Sequence, residues 1–201
     1  MILFELTGSE AHPAYQTLEI SNGERQYDFL RSIVLASLSL NKAFLSQGVV
    51  QALNYHAIGC LHHNAGEYRP CPVTVGTYTP PEPFRVPALM DDFTNEVNRN
   101  WDSVDEVVLG TYVLWRMNYI HPFINGNGRT ARASCYLVIC LKTGGLLRGS
   151  PILPELLKQN RGEYVTALKA VDASVMGGVM DLSPLHALVL RLLQQQIASA
   201  P

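Results

Sequence analysis

Charge is sparse in this sequence. Charged residues make up 16% of the 201, and they divide almost evenly, 15 basic against 17 acidic. A net charge of −2 offers no basic field for nucleic acid or for an anionic membrane surface, so neither is an expected partner. Long hydrophobic runs are missing as well. No stretch approaches the roughly 18 apolar residues that a membrane-spanning helix needs. The opening MILFELTGSEAHPAYQ has no basic lead before its short apolar run, so it does not read as a signal peptide, and a cytoplasmic location is expected. The few cysteines, Cys60, Cys71, Cys135 and Cys140, form no metal-like pair. Reduced thiols follow as the default. Cys60, His62 and His63 lie together in CLHH, but their spacing matches no usual zinc pattern, and a helix end bearing histidines is the preferred reading.

What is present is apolar material, 47% of the chain, enough for one domain with a core. ILFELT and YQTLEI lean towards strand and are separated by Gly8 and Pro13, which suggests a small N-terminal β-hairpin over residues 1–23. From residue 24 onward the apolar spacing is helical. Helices are expected over 25–44 and 47–62, the second stopped near Gly66. Six prolines in GEYRPCPVTVGTYTPPEPFRVP exclude a helix there, and CPVTV and TYT around Gly76 suggest a short edge hairpin. Pro87 suits the first turn of a helix through Trp101. Ser103 and Glu106 read as a capping box for a central helix to about Tyr119. RTARASCYLVICLK is a further apolar helix, closed by Gly144-Gly145. Asn160 and Ser183-Pro184 mark the starts of two more. The fold class is mainly α with a little β.

The stretch HPFINGNGRTAR, residues 121–132, carries the chemistry. Its glycines let backbone approach a ligand closely and turn with positive φ. It leads into a helix whose first N–H groups and dipole attract an anion. Arg129 and Arg132 are three apart and share a face, and their planar forks suit phosphate oxygens. His121 precedes the turn and is suited to taking a proton near neutral pH. The ordinary alternative is a loop with a packed histidine and two solvated arginines. That reading must account for all of these features at once.

The stretch resembles the signature of Fic-family proteins, H-x-F-x-[D/E]-G-N-G-R-x-x-R, at His121, Phe123, Gly126, Asn127, Gly128, Arg129 and Arg132. Seven fixed positions arise by chance about once in a billion windows. GEYRPCPVTVG with PPEPFRVPALM resembles the family's flap and the helix after it, and NRGEYVTALKAVDA its nucleotide-side helix. The resemblance implies a Fic-type helical domain over 24–201 that transfers AMP from ATP onto a hydroxyl side chain of a target protein. His121 would be the general base. Gly126, Asn127 and Gly128 would hold the α- and β-phosphates, and Arg129 and Arg132 the β- and γ-phosphates. Tyr164 would line the nucleobase pocket. Thr74, Val75, Gly76 and Thr77 of the flap would register the target segment by adding a strand. The intact Gly-Asn-Gly turn favours AMP transfer over the phosphorylation of the Doc branch. A separate antitoxin chain is a further partner the sequence leaves open.

One position departs from the family. Asn125 stands where the resemblance implies an acid that binds Mg²⁺. Magnesium sites use one or two protein carboxylates, so losing one removes much of the site. Two expectations follow: a slower or Mn²⁺-preferring transferase, or a nucleotide-binding pseudoenzyme or interaction protein of the same fold. UTP or GTP is a lesser candidate donor. Many family members also carry an inhibitory [S/T]-x-x-x-E-[G/N] helix. Ser37 and Asn41 in SLSLNK fall at the corresponding place, which would leave Arg132 without an internal acid.

Overall fold

A computed structural model describes residues 2–200. The chain forms nine α-helices among these residues. They are α1 (Leu3–Thr7), α2 (Pro13–Leu40), α3 (Gln47–Ile58), α4 (Val86–Arg99), α5 (Glu106–Ile120), α6 (Asn127–Lys142), α7 (Leu153–Gln159), α8 (Arg161–Met176) and α9 (Ser183–Ala198). None is long and apolar enough to cross a membrane.

The centre is the antiparallel pair α5 and α6. Nearly every residue of α6 from Thr130 to Leu141 is buried. The two helices touch closely at Gly110, where an added Cβ would stand 2.7 Å from Ile139 Cγ1. At native packing density there is no room for it. The helices α2, α3, α4, α8 and α9 surround this pair, and one continuous core joins them.

The N-terminal β-hairpin expected over residues 1–23 is not formed among residues 2–23, which carry α1 and the start of α2 instead. Leu3 N and Phe4 N donate to the carbonyls of Cys60 and Leu61 at 2.9 and 3.1 Å, which docks α1 on the end of the α3 region. Gly8, at φ 62°, ends α1. His12 Nδ1 accepts from Ala14 N at 3.2 Å and Pro13 occupies the first turn, so α2 starts well before the expected residue 25. It then runs 28 residues through the 23/24 boundary. Ser21-Asn22-Gly23 reads locally as a turn, but Asn22 Nδ2 donates to the Gly59 carbonyl at 2.9 Å and Gln26 Nε2 to that of Leu53 at 2.8 Å. Packing against α3 overrides the local preference.

Other expectations shift by smaller amounts. Helix α3 stops at Ile58, not His62, with Gly59 at its cap. Asp105, not Ser103, caps α5: its Oδ1 accepts from Val107 N and Val108 N at 2.8 and 3.2 Å. Helix α7 was not foreseen. The flap contains no strand. Only the Val75–Tyr78 pair bonds in both directions, at 2.9 and 3.0 Å, around Gly76 and Thr77. Prolines 70, 72, 80 and 81 on either side remove the donors a ladder would need. Thr74, Val75, Gly76 and Thr77 are all exposed on this turn.

Candidate active site

His121 ends α5 in the left-handed conformation, φ 51° and ψ 59°. This turns the chain sharply and leads it through residues 122–126 to the start of α6. Arg69, itself 2% exposed, holds the turn from outside. Its Nε donates to the His121 carbonyl at 2.8 Å, its Nη1 to that of Cys71 at 3.2 Å, and its Nη2 to that of Pro81. Its backbone N–H reaches the Pro122 carbonyl at 2.8 Å. One buried guanidinium therefore joins both legs of the flap to the histidine. Burial pushes the His121 imidazole down to about 4, with the Arg69 charge adding to the effect and a backbone contact to Asn118 opposing it. At neutral pH the ring is uncharged and has a lone pair to offer.

Asn127 braces the loop. Its side chain accepts from Phe123 N at 2.9 Å and donates to Phe123 O at 2.8 Å, closing a ring with that residue's backbone. The Asn127 amide is thus used inside the loop, and any contact to an anion here would come from backbone N–H groups. Gly126 caps α6 at φ 75°, and an added Cβ would meet Ile58 Cγ2 at 2.6 Å. Conformation and space both require glycine there. Gly128 is different: it is helical, not left-handed, and a Cβ on it would come 3.3 Å from Arg132 Nη1. The buried Asn54 of α3 closes the back of the loop, donating to Asn125 O at 3.0 Å and Thr130 Oγ1 at 3.2 Å.

The two arginines differ in their surroundings. Arg129 Nη1 lies 3.1 Å from Glu19 Oε1 of α2 and 3.0 Å from the Ala57 carbonyl, and its Nη2 donates to Asn125 Oδ1 at 3.1 Å. Among the described residues, Arg132 has no acid beside it. Burial lowers its pKa, and the groups whose charge it feels are Tyr164, Arg129 and Arg161. Tyr164, 5% exposed, accepts a hydrogen bond from Asn118 Nδ2 at 2.7 Å. Ser37 and Asn41 are far from this place. They line a cavity with Trp101, Leu141 and Gly144 at the opposite end of α6. The expected correspondence of Asn41 with an inhibitory glutamate is therefore not met in space.

Asn125 has every hydrogen-bonding position filled. Its Oδ1 accepts from Gly126 N at 2.6 Å and from Arg129. Its Nδ2 lies 3.0 Å from Glu10 Oε1 and 2.9 Å from His62 Nε2. The same His62 Nε2 is 2.8 Å from Tyr15 Oη. Burial lowers the His62 pKa against the pull of Glu10. A side chain with two donors and two acceptors meets these demands, and an acid, lacking donors, does not. The donors fail the test for a hard divalent cation at this position, because Oδ1 already receives two N–H groups, one from a guanidinium. Among the described residues no group of three or more His, Cys, Asp or Glu could hold a metal ion.

Sequence reasoning named the residues inside 121–132 and did not name with them Glu10, Tyr15, Glu19, Asn54, His62 and Arg69, which the structure brings against them. Only Arg69, just before Pro70 in YRPCP, carried a local signal of its own.

A short, braced turn between a buried helix pair, with a neutral imidazole on one side and a guanidinium on the other, is the work of a known domain class. Residues 44–139 match the model of the Fic/DOC family, and the chain carries a domain of that family. It is 36% identical over 110 residues to a Drosophila persimilis protein named Protein adenylyltransferase Fic, a match covering 53% of this chain and 20% of that protein. The Drosophila mojavensis protein of the same name is 30% identical over 149 residues, 72% of this chain and 28% of that one. The chain thus spans between a fifth and about a quarter of the curated relatives it matches. Its fold is similar to a Fic domain containing signaling protein from Bacteroides thetaiotaomicron, with TM-score 0.73, 22% identity, and 98% and 76% of the two chains covered. It is also similar to Fic-1 from C. elegans, with TM-score 0.67, 24% identity, and 90% and 50% covered.

Proposed function

We propose that this chain transfers AMP from ATP onto a hydroxyl side chain of a target protein. The observation that carries the reading is the uncharged, half-buried His121 next to the start of α6, with Arg132 one turn in and unpaired among the described residues. His121 takes the proton of the acceptor hydroxyl as its oxygen attacks the α-phosphorus. The bond from that phosphorus to the bridging oxygen breaks, and pyrophosphate leaves. Arg132 and the first N–H groups of α6 stabilise the charge that builds on the leaving group. Tyr164 lies beside Arg132 on α8 and lines the nucleobase side. The exposed turn at Thr74–Thr77 receives the target's backbone. The donors at Asn125 do not fit a divalent cation, so the fixed charges of the chain itself face the phosphates.

A second reading has its own support. Glu19 and Asn125 already hold Arg129, an arrangement suited to a protein that binds nucleotide without transferring it. Incubation with α-labelled ATP, GTP or UTP and protein lysate separates the two. Label on a protein, lost with His121→Ala while ATP binding persists, supports transfer. Nucleotide binding with no label on any protein supports the second reading.

A further inference from the structure

The nucleotide reading above leaves open what neutralises the phosphates where the family's acid is missing. We infer that the loop takes its nucleotide without a divalent cation, because Asn125 holds the N-terminal segment in place of a metal.

A hard cation at this position needs an oxygen with a free lone pair. Asn125 Oδ1 has none free, since Gly126 N and Arg129 Nη2 both donate to it. Its amide nitrogen fills the other side, in reach of Glu10 Oε1 and His62 Nε2 at 3.0 and 2.9 Å. The –NH₂ thus does for these two acceptors what a bound cation would do: it turns positive charge towards both. The Arg129 guanidinium, 3.1 Å from the amide oxygen, puts a fixed cation beside the same spot and repels a second one. The charge left for phosphate is then Arg132, which has no acid beside it, together with the α6 amides.

The pieces around Asn125 support one another. Tyr15 Oη meets His62 Nε2 at 2.8 Å, Phe4 stacks on the His62 ring at 4.8 Å between centroids, and α1 docks on the Cys60 and Leu61 carbonyls. An acid at 125 would set a carboxylate against Glu10 and remove the N–H that Asn125 turns towards Glu10 and His62. The departure from the family pattern and the seat of the N-terminal segment therefore have a common cause.

The test is calorimetric titration of the chain with ATP and with ADP, in EDTA and in Mg²⁺. Affinities that differ by less than about threefold between the two buffers are expected for the wild type. Manganese resonance spectra with ADP present should show only free Mn²⁺. Asn125→Asp, if folded, should gain a Mg²⁺ dependence of about tenfold or more. Wild-type binding that appears only with Mg²⁺ or Mn²⁺ overturns this inference and leaves the nucleotide reading standing. Absence of binding in both buffers overturns both. The wild-type comparison decides the matter even if the variant does not fold.

Discussion

Arg69 Nε donates to the carbonyl of His121 at 2.8 Å, so the root of the flap and the end of α5 share one buried hydrogen bond. Removing that guanidinium leaves the carbonyls of His121, Cys71 and Pro81 without their donor. Arg69→Ala is expected to cost about 3 kcal/mol or more in unfolding free energy, since charged hydrogen bonds are lost in a buried place. Denaturant unfolding measures it. Arg69→Lys should recover only part, because an ammonium cannot reproduce the fork.

Glu10 and Asn125 are expected to be coupled. Asn125→Asp places two carboxylates near each other and should lower stability by roughly 1–3 kcal/mol, offset in part by Arg129. Glu10→Gln in the same chain should return most of that loss, because Gln can donate to the new acid. A double-mutant cycle on melting gives the interaction energy. Strictly additive effects would show that the 3.0 Å contact carries no energy.

The lowered His121 pKa sets a pH window. The ring titrates at about 4 in the folded chain against an ordinary value of 6.5. Between these values the unfolded chain binds more protons, so stability falls as pH drops from about 6.5 to 4, by up to roughly 3 kcal/mol. His121→Asn should flatten that part of the stability profile. For transfer, the acidic limb of the pH–rate profile should lie well below pH 6.5, because the base keeps its lone pair down to about pH 4.

The two arginines should respond differently to change. Arg132→Gln removes the charge with no acid partner, so nucleotide affinity should fall by tenfold or more, on the order of 1.4 kcal/mol, with little loss of stability. Glu19→Gln should do the reverse. The half-exposed pair it breaks is worth about 1 kcal/mol at most, and freeing Arg129 should raise affinity several-fold. Equilibrium binding and melting of the two variants side by side check both halves.

The sequence made some of this legible and hid the rest for physical reasons. Helices α5 and α6 were visible because their apolar residues recur with helical spacing and glycines mark the ends. The loop between them was visible because its residue types are unusual in combination. Helix α2 was hidden because Ser21, Asn22 and Gly23 favour a turn locally, and only the Gly59 carbonyl, 37 positions away, shows why Asn22 is helical. The partners of the loop were hidden in the same way. His62 and Glu10 lie 63 and 115 positions from Asn125, and Arg69 lies 52 from His121. Spacing within twelve residues cannot report contacts at that separation. Gly128 shows the opposite error: a glycine read as a turn is a helical residue that leaves space near Arg132.

The two acids that reach the loop are mounted differently. Glu19 stands on α2, whose Tyr15 and Asn22 are buried on either side of it, whereas Glu10 belongs to the short connection between α1 and α2. Releasing Arg129 from Glu19 therefore asks only for a side-chain rotation, an event of picoseconds to nanoseconds for a partly exposed group, while the Ala57 carbonyl and Asn125 keep the guanidinium in place. Freeing Asn125 from His62 as well asks for the undocking of the segment that α1 and Tyr15 hold there, on the slower clock of local unfolding. A ligand arriving at the loop meets one gate that opens faster than it diffuses and another that it must wait for.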